Sequence, residues 1–245
     1  MKKKLKIDAV TFWGIVFIAV AMVLFVAVGF FKLPHIQEWY EQYEHIIVRF
    51  QERIINIDNK LWIVLIVILL YLFKAFIPFP VYPASFLLII ISIVFDFYVS
   101  VIINIVGLII LFCAKYFWGK KFGCGVAGKL LSKYHKIWNI IEHEGNGNPW
   151  LLTVFRAIPA FPINSVSCLY GSMDFSFWKY ILLSVTGYMP KLISYTIIGR
   201  NVFNPLSSAF ILPIALLLLF SGLSMVGVNT LVDAINKKIN SKKIS

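Results

Sequence analysis

Val10–Phe31, Phe97–Ala114 and Asn201–Val232 of this 245-residue chain each run for 18 residues or more without a charged side chain. A helix rises 1.5 Å per residue, so about 20 apolar residues cross the hydrocarbon core of a bilayer. Backbone polar groups in that medium must bond internally, which leaves helices and closed barrels as spanning structures. Continuous apolar runs of this length, without alternation, select helices. The rest of the sequence agrees: 60% of residues are hydrophobic and 14% charged, against about 25% charged in a soluble domain. With a mean hydropathy of +0.85, a soluble enzyme, a disordered chain and a DNA-binding domain are excluded. The net charge of +12 gathers at both ends and in one central stretch, as cytoplasmic loops beside a membrane do. Nucleic acid is therefore not an expected partner.

The expected fold is an all-α polytopic membrane protein. Residues 1–31 hold cytoplasmic lysines (Lys2, Lys3, Lys4, Lys6) and an apolar segment too long for a cleaved signal peptide, so it reads as a retained signal anchor. In residues 32–60, Trp39, Tyr43, Ile46, Ile47, Phe50, Ile54 and Ile57 recur at steps of three and four. That predicts an amphipathic helix outside the cytoplasm. Residues 61–95 are two short apolar segments around Pro78, Pro80 and Pro83. They predict a re-entrant hairpin, which is tolerated at membrane depth only inside protein or beside a water-filled cavity. A span over 97–118 follows, then a basic interfacial loop over 119–149. Residues 150–173 repeat the short–break–short pattern around Arg156, Pro159, Pro162 and Asn164. A span over 175–198 and a last span with a basic tail, within 201–245, complete the chain. With both hairpins re-entrant, the termini and the basic stretch face the cytoplasm of a cell-membrane protein. Counting Leu61–Ile77 as a full span would put the basic stretch outside.

The two hairpins resemble each other. Phe73-Lys74-Ala75 with Phe79-Pro80 matches Phe155-Arg156-Ala157 with Phe161-Pro162 at one spacing. Asp96-Phe97 echoes Asp174-Phe175, Gly107 echoes Gly187, and Gly119-Lys120 echoes Gly199-Arg200. Opposite entry sides make this an inverted repeat, with a site expected near mid-membrane at the broken helices.

Arg156-Ala157-Ile158-Pro159-Ala160-Phe161-Pro162-Ile163-Asn164, followed by Gly171, Phe175, Gly187-Tyr188-Met189-Pro190, Tyr195 and Gly199, resembles the signature of the VTT-domain superfamily. This is the DedA-like, SNARE-associated Golgi protein group. The R-x-x-P-x-x-P-x-N form is similar to its vesicle-protein branch, and the resemblance covers roughly residues 60–200. Ser167 stands where a second Asn is common, Lys191 where Gly usually follows the proline, and Ser92 and Asp96 where the first half has glycines. The resemblance implies paired re-entrant helices and movement of phospholipids or polyprenyl phosphates between leaflets.

A guanidinium at membrane depth costs about 2.5–3.5 kcal/mol on insertion scales, so Arg156 is expected to face a cavity or a partner. It is a bidentate phosphate binder, and half-helix N-termini after Pro159 or Pro162 would add amide donors. Lys74 is its counterpart, and Asn164 a headgroup or backbone ligand. Arg156 could instead snorkel to the interface. Asp96 and Asp174 are expected to cap the following helices, or to act as proton-responsive counter-ions. Pro78, Pro80 and Pro190 are structural, while Gly107, Gly171, Gly187 and Gly199 permit close helix approach. Cys113, Cys124 and Cys168 form no metal or disulfide pattern. Glu142-His143-Glu144 reads as a solvated loop, and no metal, cofactor or catalytic residue is expected. The leading expectation is a non-enzymatic anionic-lipid transporter whose partners are membrane lipids, with homo-oligomerisation left open. A membrane scaffold and an ion-coupled solute transporter are the alternatives.

Overall fold

The computed structural model describes residues 9–31, 52, 59–77, 82–123, 149–159, 163–173 and 175–242, with backbone only at 9–10 and 228–242. Eight helices occur among them. They are α1 (Ala9–Phe31), α2 (Lys60–Phe76), α3 (Ala84–Val94), α4 (Phe97–Phe122), α5 (Pro149–Ala157), α6 (Ile163–Ser172), α7 (Phe177–Arg200) and α8 (Ser208–Lys242). No strand occurs among the described residues. Helices α1, α4, α7 and α8 are long and apolar enough to cross a membrane. At 11, 9 and 10 residues, α3, α5 and α6 each fall short of a hydrocarbon core about 30 Å thick.

Both short pairs break for the same local reason. A residue before proline is pushed out of the helical region. Ile77, before Pro78, is extended at φ −85° and ψ 127°, and α5 likewise stops at Ala157, one residue before the Ile158-Pro159 bond.

Helices α4 and α7 pack together at the centre. Helix α2 lies on α4 and α5 on α7, while α3 crosses to α7 and α6 crosses to α4. Glycines make these crossings close. A Cβ at Gly119 would sit 2.1 Å from the Cys168 carbonyl oxygen, and one at Gly171 2.1 Å from that of Tyr116, both in the α4–α6 seam. Gly199 lies against Ile89 of α3, Gly187 against Thr153 and Arg156 of α5, and Gly107 under the Tyr71 ring of α2. Two buried clusters result. Phe112, Leu152, Phe155, Leu169 and Tyr180 belong to one, Val67, Tyr71, Leu87, Ile91 and Leu111 to the other, and Ile163 touches both. Tyr98, Trp150 and Trp178 stand exposed at the starts of α4, α5 and α7, as aromatic side chains at a membrane interface do. Helix α1 packs on α8, which also meets α7.

Several expected boundaries move. The span expected over 97–118 runs on to Phe122, because Lys120 and Lys121 occupy its last turn rather than a loop, where cations suit the helix dipole. The span expected over 175–198 runs from Phe177 to Arg200, with Ser176 at its N-cap. The basic tail is helical to Lys242. Most of the amphipathic segment 32–60, residues 124–148 and Pro78, Pro80, Pro162 and Asp174 lie outside the described residues.

Candidate functional site

Four cations are buried where the two helix pairs break: Lys74, Lys115, Arg156 and Lys191, at 6%, 4%, 1% and 3% exposure. Two come from the half-helices α2 and α5, and two from the intact spans α4 and α7.

Arg156 sits at the second break. Its Nε donates to Ser184 Oγ at 3.2 Å and Nη1 to the Ile163 carbonyl at 3.0 Å. Its Nη2 donates to Ser167 Oγ at 2.7 Å and to the Tyr180 hydroxyl at 2.9 Å. Four of the five guanidinium donors are thus used, all on neutral oxygens. The guanidinium also lies 4.3 Å from the Phe112 ring centroid, a cation–π contact that strengthens away from water. Tyr180 passes its own hydrogen to the Phe112 carbonyl at 3.3 Å, and Ser167 Oγ donates to the Ile163 carbonyl at 2.9 Å. Helices α4, α5, α6 and α7 are therefore joined through one side chain. Lys191 completes this break, with Nζ donating to the Ile158 carbonyl at 3.1 Å and lying over the Tyr188 ring.

At the first break Lys74 Nζ donates to the Tyr82 carbonyl and lies over that tyrosine's ring. Lys115 Nζ donates to the Ile77 carbonyl at 2.6 Å. The two ammonium groups are near enough to repel one another. Each break thus has one cation on the carbonyl where the chain leaves the first half-helix, Ile77 or Ile158. A second cation holds the carbonyl where it enters the next, Tyr82 or Ile163.

The other expected site residues fall elsewhere. Asn164 is half-buried on α6 and is not among Arg156's partners. Pro159 is half-buried in the turn after Ile158. Asp96 holds the N-cap position of α4 but makes no side-chain cap bond. It pairs with Arg200 at 3.3 Å instead of with Lys74 or Arg156, because the start of α4 and the end of α7 lie together at the surface. These two line a cavity of about 180 Å³ with Lys60 and Ser92. Pro190 lies exposed within α7, where Ser194 Oγ donates to its carbonyl at 2.9 Å. Among the described residues no cluster of His, Cys, Asp and Glu could hold a metal.

Sequence reasoning missed Lys115 and Lys191 as site residues. Lys115 directly follows the uncharged run Phe97–Ala114, and Lys191 stands where the family pattern has glycine, so neither stands out as a ligand in the sequence. Sequence reasoning also missed Tyr180 and Ser184, whose spacing of four on one helix face was the available signal.

Four spanning-length apolar helices and two broken pairs carrying cations define a multi-pass helical membrane protein. Residues 77–201, just over half of the chain, match the VTT domain, and the protein belongs to that DedA and SNARE-associated Golgi family. No curated protein and no solved structure matches it.

Proposed function

We propose that the protein moves an anionic lipid, a phospholipid or a polyprenyl phosphate, between leaflets, its headgroup passing the two helix breaks while the acyl chains stay in lipid. One observation carries this reading. Four cations are buried, and helices α2 to α7 contain no aspartate or glutamate to neutralise them. Cations at membrane depth mark substrate pathways when no protein carboxylate answers them. The missing negative charge is supplied by the substrate, and no bond is made or broken.

On this reading α2–α3 and α5–α6 are re-entrant hairpins and their units form an inverted repeat. Lys60 at the start of α2, Asp96 after α3 and Arg200 at the end of α7 line one cavity, which supports α2 and α3 entering and returning on one side. The reciprocal crossings of α3 to α7 and α6 to α4 support the repeat. The cell membrane, with both termini cytoplasmic, is the location this topology favours.

A scaffold reading rests on a different observation: Arg156 is held by four neutral partners, as a purely structural tie would be. Exchange of fluorescent phospholipid and polyprenyl phosphate in proteoliposomes separates the two. The transport reading expects exchange in the wild type and its loss in a folded Lys74→Ala, Lys115→Ala double variant. Absence of exchange for both lipids with folded wild type favours the scaffold.

A further inference from the structure

We infer that the first break contains a phosphate-binding site formed by Lys74 and Lys115, and that Arg156 at the second break is a structural tie. The inference deepens the proposed function and rests on it for the lipid as the source of the phosphate.

An ammonium group carries three N–H donors. Among the described residues Lys74 gives one to the Tyr82 carbonyl and Lys115 one to the Ile77 carbonyl. Among the described residues the remaining donors face no carboxylate, and the two charges repel. A phosphate relieves that repulsion and accepts several hydrogen bonds at once, which a carbonyl cannot do. Arg156 is the opposite case, with four of its five donors already placed on groups from two other helices, α6 and α7.

A second observation points to the same break. Tyr71 precedes Lys74 by one turn of α2, is fully buried, and its hydroxyl has no hydrogen-bond partner. It lies close to Tyr188 of α7 and to Tyr82. A buried hydroxyl without a partner is costly, and a bound phosphate or its hydration water would satisfy it. Tyr82 is itself tied down, its hydroxyl donating to the Leu70 carbonyl. Tyr82 is thus held in place while Lys74 and Lys115 keep donors for a ligand.

The test uses the full chain purified in detergent micelles, titrated calorimetrically with two probes: inorganic phosphate and short-chain phosphatidic acid. The exposed Lys179→Gln variant should bind as the wild type does. Lys74→Gln and Lys115→Gln should each weaken binding roughly tenfold or more, the scale of a lost hydrogen bond to a charged group. Lys115→Arg, which keeps the charge, should restore most of the affinity and guards against reading misfolding as loss of a ligand contact. Binding of phosphatidic acid alone makes a lipid headgroup the ligand; equal binding of inorganic phosphate makes it free phosphate. Failure of both probes on the wild type, or unchanged binding in both lysine-to-glutamine variants, overturns the site. Leaflet exchange distinguishes this failure from that of the function. Exchange unaffected by Lys115→Gln leaves transport standing without the site, and binding without exchange leaves the site standing without transport.

Discussion

At the second break one guanidinium reaches Ser167, Ser184, Tyr180 and the Ile163 carbonyl and stacks on Phe112. At the first break two ammonium groups repel each other, hold one carbonyl apiece, and lie over the rings of Tyr82 and Trp118. The backbone cause of the two breaks is the same, an isoleucine before a proline, and the number of buried cations is the same. The surrounding polar groups differ. Hydroxyls on α6 and α7 turn Arg156 into a joint between helices, whereas Lys74 and Lys115 each meet one backbone carbonyl and one ring face, Tyr82 and Trp118. Donor saturation, rather than charge or burial, separates Arg156 from the three buried lysines, Lys191 included, which hold one carbonyl each.

The comparison breaks most severely at the helix seams. Gly119→Ala or Gly171→Ala puts a methyl 2.1 Å from backbone oxygen and should cost about 3 kcal/mol or more. Gly199→Ala in the α7–α3 seam, where the nearest atoms are 2.7 Å away, should cost about 1–2 kcal/mol. Unfolding in detergent measures both, and equal losses would erase the difference between the seams. Next comes Arg156→Ala, which removes four hydrogen bonds. At about 0.6 kcal/mol for an average interhelical bond in a membrane, stability should fall by about 2–3 kcal/mol. Lys74→Ala should change it by less than about 1 kcal/mol on the same scale; an equal fall in both would make the first break as structural as the second. Ser184→Ala, which removes a single partner of Arg156, should cost about 1 kcal/mol. The smallest effect belongs to Arg200→Ala, since its partner Asp96 has a side chain 91% exposed. Such surface pairs contribute at most about 1 kcal/mol, and a larger loss would give that end of the bundle a structural part in holding the first hairpin.

Apolar run length and proline position were enough to find α1, α4, α7 and α8 and the two interrupted pairs, because in a bilayer these features leave the backbone few options. Arg156 and Lys74 were legible for the same reason: a cation inside an apolar run needs an explanation. Lys115 and Lys191 were not, since Lys115 directly follows an uncharged run and looks like the place where a span meets water, and Lys191 reads as a replacement for a family glycine. Their side chains turn inward onto Ile77 and Ile158 only because helices from distant parts of the sequence cross there. The Asp96 pairing was hidden likewise, its partner Arg200 lying about a hundred residues away. Ser167, read as a departure from the family pattern, proved to be a direct partner of Arg156.

Gly14 of α1 and Gly222 of α8 press together, each so close that a Cβ would meet the other's carbonyl oxygen, at 3.1 and 2.6 Å. The first described helix therefore finds its main neighbour in the last. During synthesis α1 enters the bilayer roughly two hundred residues before that neighbour exists, and a contact this distant in sequence forms late. Until then α1 waits in lipid with its glycine face uncovered. Assembly of this protein is thus a ring closed at its final step, and a ribosome halted before α8 would leave α1 without the helix that holds it to the rest.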